Sequence, residues 1–232
     1  MKVLVLPGMA ADVRIPPERD PRSGRVRDEW LVREVDPASA RALDLALDLK
    51  AAGRGVDVTV AHLGPPGAEP WLRRAVARGA DRALRVWDAE AAGAHAAAKA
   101  VILAAAARAA GFDLVLAGAA GVMDASGQLG VLLAAQLGVP CVTQAVDIVL
   151  SAGGGTVEIT RALDRGYRER VEVTLPAVVT VAGDALRAAA PPDRSVSALL
   201  AAEAAAIPVW DLADLGVPLD HIRRAEETRG IV

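Results

Sequence analysis

Four short apolar runs separated by stretches of helical period constrain this chain most. They are Val3–Leu6, Val56–Leu63, Ala83–Trp87 and Phe112–Ala117. Short continuous apolar runs of this kind fit strands buried on both faces, the pattern of a parallel sheet. The intervening segments fit crossover helices. After Asp36, an N-cap followed by Pro37 at the first helical position, the residues Ala42, Leu45, Ala46 and Leu49 fall on one stripe, and Gly53 ends the helix. Trp71–Arg78 stops at Gly79, Ala91–Ala110 at Gly111, and Gln128–Leu137 at Gly138-Val139-Pro140. The alternation predicts a twisted parallel sheet with right-handed crossovers and helices on both faces, an α/β Rossmann-like architecture.

The pattern changes after residue 140. Val142–Leu150 reads as a strand, and Val157–Leu163 and Arg168–Leu175 read as an antiparallel hairpin around Asp164-Arg165-Gly166. Ala177–Val181 returns to a buried strand. Beyond Gly183 the chain is Ala-rich with few long-range signals. It is expected to form a C-terminal arm and tail (184–232) on an α/β nucleotide-binding domain (1–183). Aromatics are only 3% of a chain that is 53% hydrophobic, so the core is built from Ala, Val and Leu.

Composition also excludes partners. The net charge is −3 with both signs interspersed, which leaves no basic stripe for nucleic acid. The three histidines are far apart and Cys141 is the lone cysteine, so no metal-ligand spacing and no internal disulfide are present. The longest Ala-rich run contains Lys99 and Arg108, which argues against membrane insertion. A cytoplasmic protein is expected.

Ligands of open parallel sheets bind at the carboxyl ends of the strands. Three such ends are made of small residues: Leu6-Pro7-Gly8, Leu63-Gly64-Pro65 and the segment Gly118 to Gly130. In the last, Gly118, Gly121, Gly127 and Gly130 would let backbone N–H groups face an anion at a helix N-terminus. Asp124, Ser126 and Gln128 add polar groups. The physical reading is a cradle for a nucleotide phosphate or ribose. A plain strand-to-helix turn is the competing one, because the spacing matches neither GxGxxG nor the Walker pattern. Asp124 fits a helix cap as well as a ligand contact, and Asp36 by default is only the N-cap. His62 has no sequence partner and reads as a structural histidine, His95 and His221 read as solvated, Cys141 reads as a small hydrophobe, and no catalytic constellation is present. Trp30, Trp71, Trp87 and Trp210 read as packing or interface residues.

The segment Ile159-Thr-Arg161-Ala-Leu-Asp164-Arg-Gly166-Tyr-Arg-Glu169, running on to Leu175-Pro176-Ala177-Val178-Val179-Thr180, resembles the signature of electron transfer flavoprotein beta subunits. Arg165 departs from it, where the family prefers Gly or an acid. Asp12, Asp36-Pro37, Gly79-Ala80-Asp81, Asp113 to Gly118, Gln128-Leu129-Gly130 and Ile207-Pro208-Val209-Trp210 extend the resemblance over nearly the whole chain.

The resemblance implies an electron carrier and not an enzyme. It implies a heterodimer in which an alpha subunit holds most of the redox FAD and the beta subunit supplies a wall. The beta site would bury AMP, or a second FAD in bifurcating members. Electrons would come from acyl-CoA or other dehydrogenases and go to a quinone reductase or another acceptor. Carried over by position, the nucleotide contacts fall on Leu6, Asp36, Pro37, Ala38, Ser39, Leu63, Gly118, Gly121, Val122, Asp124, Ser126, Gly127, Gln128 and Leu129. Asp36 stands for Asn, Gly127 and Leu129 replace polar residues, Gly8 stands for Lys, and Val13 and Ala38 replace aromatics. An arm for docking to dehydrogenases falls on Val196, Leu199 and Leu200. Its usual basic cluster is replaced by Glu203 and Ala204 to Ala206. An ATP-binding stress-response module of the same fold type is the alternative, and it would need a Gly-x-x-Gly turn with a following Gly-Ser or Gly-Thr.

Overall fold

The computed structural model describes residues 1–12, 14–24, 26, 31–52, 55–121, 126–151, 153–183 and 195–227, with the backbone alone at 224, 226 and 227. Val13, Trp30, Gly53, Val122 and Asp124 therefore lie outside the described residues.

Strands β1 (Lys2–Leu6), β4 (Asp57–Leu63), β5 (Arg82–Val86) and β6 (Leu114–Gly118) are the four apolar runs, and they are parallel. They belong to a nine-stranded sheet that also contains β7 (Cys141–Leu150), β8 (Thr156–Ala162), β9 (Arg168–Thr174), β10 (Ala177–Val181) and β11 (Val209–Trp210). Its order is β11-β5-β4-β1-β6-β10-β7-β8-β9. The sheet is parallel from β11 to β7 and antiparallel at β7-β8-β9, as the change in sequence pattern predicts. A separate antiparallel pair, β2 (Met9–Ala11) and β3 (Arg33–Val35), stands over the end of β1.

Two helical layers cover the sheet because the strands bury alternate residues on opposite faces. Val3 and Val5 of β1 pack with α1 (Pro37–Ala52) and α2 (Glu69–Ala77). Leu4 and Leu6 pack with α3 (Ala96–Ala110), α4 (Leu129–Leu137) and α6 (Leu219–Glu227). Arg78 is paired with the buried Asp44, tying the end of α2 to α1. The acids that open two strands act as register pins. The Asp81 carboxylate accepts from the Val58 N–H (2.8 Å) and from Lys50 (2.7 Å). That of Asp113 accepts from the Lys2 N–H (2.7 Å).

Two expectations are corrected. The helix read as Ala91–Ala110 begins at Ala96. Asp88 caps a separate 3-10 turn at Ala89–Ala91, accepting from the Glu90 N–H at 2.9 Å, and Gly93 then turns the chain with φ +75°. The described part of the Ala-rich C-terminal stretch has long-range contacts that its composition hides. Helix α5 (Val196–Ala204) packs on α2, β11 pairs with β5, and α6 packs on α3. Arg73 of α2 donates to the carbonyls of Ala202 (3.3 Å), Glu203 (2.7 Å) and Ala205 (2.7 Å), holding the end of α5.

Candidate functional site: a cleft at the strand-order switch

The chain runs from β1 outward to β4 and β5, then returns to place β6 on the other side of β1. Connections leave in opposite directions at that point, and a crevice opens beyond the carboxyl ends of the strands. A cleft of about 430 Å³ lies there. That is within the ordinary range for a small-molecule site.

All three strand ends singled out in the sequence meet in it. Leu6, Pro7 and Gly8 come from β1, Leu63, Gly64 and Pro65 from β4, and Gly118 to Gly121 with Ser126 to Leu129 from the turn after β6. Of the predicted contacts, Leu6, Asp36, Ser39, Leu63, Gly118, Gly121, Ser126, Gly127, Gln128 and Leu129 line the cleft. Pro37 and Ala38 do not. Pro37 is exposed in the first turn of α1. Ala38 is buried, and its Cβ would lie 3.1 Å from a Cβ placed on Gly118 and 3.4 Å from one on Gly183.

Local bonding explains the shape of the β1 lip. Gly8 is held from both sides: its N–H donates to Ser39 Oγ (2.9 Å) and its carbonyl accepts from the Asp36 N–H (2.9 Å). The buried Asp36 carboxylate accepts from the Ala38 N–H at 2.9 Å, so it caps α1 as the sequence predicts while also lining the cleft. The glycines of the opposite lip divide in purpose. A side chain on Gly118 would crowd Ser39 (3.0 Å to Oγ) and Ala38, so this glycine lets α1 approach β6. A Cβ on Gly130 would collide with Cγ2 of Thr180, so Gly130 serves helix-on-strand packing, and it is not among the residues lining the cleft. Gly127 has φ +63° and turns the chain into α4, where Gln128 stands at the N-cap position.

Sequence reasoning missed one wall. Arg33, His62, Trp87, Ala91 to Gly93, Ala96, Lys99 and Leu103 line the side toward α3. His62 is almost wholly buried, with Nδ1 2.9 Å from the Pro7 carbonyl. Burial pushes its imidazole below the ordinary histidine value. The positive charges of Arg85, Lys99 and Arg33 push the same way, against the raising bond to Pro7. The ring is therefore neutral at neutral pH. Because a carbonyl only accepts, Nδ1 carries the proton and Nε2 is left as an acceptor. Nε2 lies over Gly64, where any Cβ would strike it. The sequence signals were Gly93, which breaks the alanine run, and the single Lys in the first turn of α3.

Among the described residues, no group of three or more His, Cys, Asp or Glu is placed to hold a metal, and no helix is long and apolar enough to cross a membrane. Burial pushes the Cys141 thiol up, away from the reactive thiolate.

The electron transfer flavoprotein domain matches residues 27–215. The chain belongs to the electron transfer flavoprotein family. Its relatives include beta subunits of electron transfer flavoproteins. One from Clostridium acetobutylicum is 35% identical over 170 residues, covering 73% of this chain and 62% of its own. One from Methylophilus methylotrophus is 28% identical over 202 residues, covering 87% and 75%. The caffeyl-CoA reductase-Etf complex subunit CarD of Acetobacterium woodii is 33% identical over 199 residues, covering 85% and 74%. The chain thus spans 62% to 75% of the length of these three flavoprotein subunits.

Proposed function

We propose that this chain is the beta subunit of a heterodimeric electron transfer flavoprotein, with AMP in the cleft described above. The observation that carries the nucleotide assignment is the convergence of three small-residue strand ends at the strand-order switch. The lining suits an adenine nucleotide. Leu6, Ala61, Leu63 and Leu103 offer an apolar bed for a base, while Ser126, Gln128 and backbone groups of the glycine turn offer polar contacts to ribose or phosphate. AMP supplies no redox chemistry; it fixes the lips of the cleft relative to each other.

The redox flavin is assigned mainly to the alpha subunit, with this chain as one wall. Val149, Leu163 and Tyr167, exposed on β7 and the hairpin, offer apolar surface to such a partner. Electrons then pass from acyl-CoA or other dehydrogenases to a quinone reductase or another acceptor. Docking to the dehydrogenase is assigned to α5, whose N-cap Ser195 accepts from the Ala198 N–H at 3.1 Å. Val196, Leu199 and Leu200 on it are 72%, 42% and 67% exposed.

Heat release of the nucleotide from the purified complex, followed by chromatography, tests the cofactor. AMP is the expected product. FAD released at two equivalents per heterodimer would replace AMP with the bifurcating-type arrangement. Absence of any adenine nucleotide at one equivalent beyond the alpha-subunit flavin would refute nucleotide binding by the cleft.

A further inference from the structure

The wall of the cleft that the sequence did not reveal has an unbalanced charge. Among the described residues, two cations line the cleft, Arg33 and Lys99. Arg33 has an interaction partner of its own. Lys99 is half-buried in the first turn of α3, and no hydrogen-bond or ion-pair partner faces it among the described residues. The neighbouring groups cannot neutralise it. His62 is neutral for the reasons given above, and Asp36, the acid among the described lining residues, has its carboxylate engaged at the N-terminus of α1. Arg85 is occupied by Glu69 at 3.1 Å. A half-buried ammonium that no described carboxylate pairs favours an anion that completes it.

We propose that Lys99 is the phosphate-binding residue of the cleft, so that the nucleotide is held by its phosphate against α3 and not by the glycine turn alone. This rests on the nucleotide reading of the cleft and adds a residue outside the segments that carry the family resemblance. The Lys99 ammonium supplies a charge-assisted hydrogen bond to a phosphate oxygen. His62 Nε2, beside it on the same wall, accepts from a hydroxyl or amino group of the nucleoside. A nucleoside monophosphate or diphosphate satisfies both, whereas a nucleoside alone satisfies only the histidine.

Titration calorimetry on the full chain in complex with its alpha subunit, stripped of nucleotide, tests this with AMP and adenosine as the probes. Lys99→Met keeps the stem and removes the charge. The expected result is a loss of AMP affinity of about tenfold or more, with adenosine affinity unchanged and the salt dependence of AMP binding reduced. Equal AMP affinity in Lys99→Met and the parent, or equal losses for AMP and adenosine, overturns the assignment to Lys99 and leaves the cleft a nucleotide site. If the parent binds neither AMP nor FAD, the nucleotide reading falls and Lys99 with it. The melting temperature of the stripped Lys99→Met complex should match or exceed the parent's, and a loss there would make Lys99 a packing residue.

Discussion

His62 makes stability depend on pH in a direction that follows from its setting. Its folded pKa lies below the ordinary histidine value, about 6.5 in an unfolded chain. Below about pH 6.5 the unfolded chain takes a proton that the folded one refuses, so stability falls as pH falls and is fully present above that value. Between pH 7 and pH 5.5 the melting temperature should drop, and the drop should be shallower in His62→Gln, which cannot titrate. Identical slopes in the two proteins would assign the dependence to another group. At the hairpin tip, Arg165 has φ 58° and ψ 24°, a left-handed conformation that L side chains resist. Arg165→Gly should stabilise the protein by about 0.5–1 kcal/mol, the strain relieved minus the extra entropy of glycine, as read by denaturant midpoint. No gain would mean that the arginine makes compensating contacts.

At the scale of elements, the packing of α4 on β10 depends on a missing side chain. Gly130→Ala would drive a methyl into Thr180, which is 1% exposed. Overpacking of this kind costs about 1–3 kcal/mol. Thr180→Ser deletes the obstructing methyl and keeps the hydroxyl that accepts from the Gln144 N–H at 3.3 Å. The double variant should recover most of the loss, and additive losses would place the strain elsewhere. These positions also mark where the sequence was legible. The strands were readable because burial on both faces leaves only apolar residues between their ends. The cap at Asp36 was readable because capping is local chemistry. The start of α3 was not, since alanine fits both a helix and a tight turn, and only Gly93 separates them. Nor was the packing duty of Gly130, because a glycine that faces Thr180 and one that faces a phosphate look alike in one dimension. The α3 wall escaped for a related reason. His62, Trp87 and Lys99 are scattered over three elements, and only the crossover brings them to one cleft.

For the whole molecule, the arm is joined to the body, and the docking role proposed for it rests on that join. Arg73 fastens the end of α5 to α2, which leaves Val196 and Leu200 outward on a firm support. An exposed apolar anchor on a rigid element sets residence time, while charges at the rim set the rate of encounter. Here the rim holds Glu203 and alanines, so encounter should be weakly steered. Leu200→Ala should slow electron transfer from an acyl-CoA dehydrogenase several-fold, leave the flavin spectrum and melting temperature unchanged, and the parent rate should vary little with salt. A fall in melting temperature with transfer intact would make Leu200 a packing residue. The fold as a whole was legible down to the hairpin. The return of the C-terminal segment was not, because a two-residue strand has too little pattern to register against its alanine surroundings.

That two-residue strand also orders events in time. The outer edge of β5 is covered by β11, through bonds from the Arg85 N–H to the Pro208 carbonyl (2.9 Å) and from the Trp87 N–H to the Trp210 carbonyl (3.0 Å). Roughly 120 residues separate Val86 from Val209, so at about 5–20 residues per second a ribosome needs on the order of 6–25 s to supply the cover. Any sheet formed in that interval would leave the outer edge of β5 uncovered and able to pair with another chain. Arg82, at the start of that strand, pairs with Asp57 of β4 at 3.1 Å and keeps its side chain largely exposed. A charge on an open strand edge disfavours pairing with another chain, and Arg82 stands on this one before Val209 and Trp210 are made.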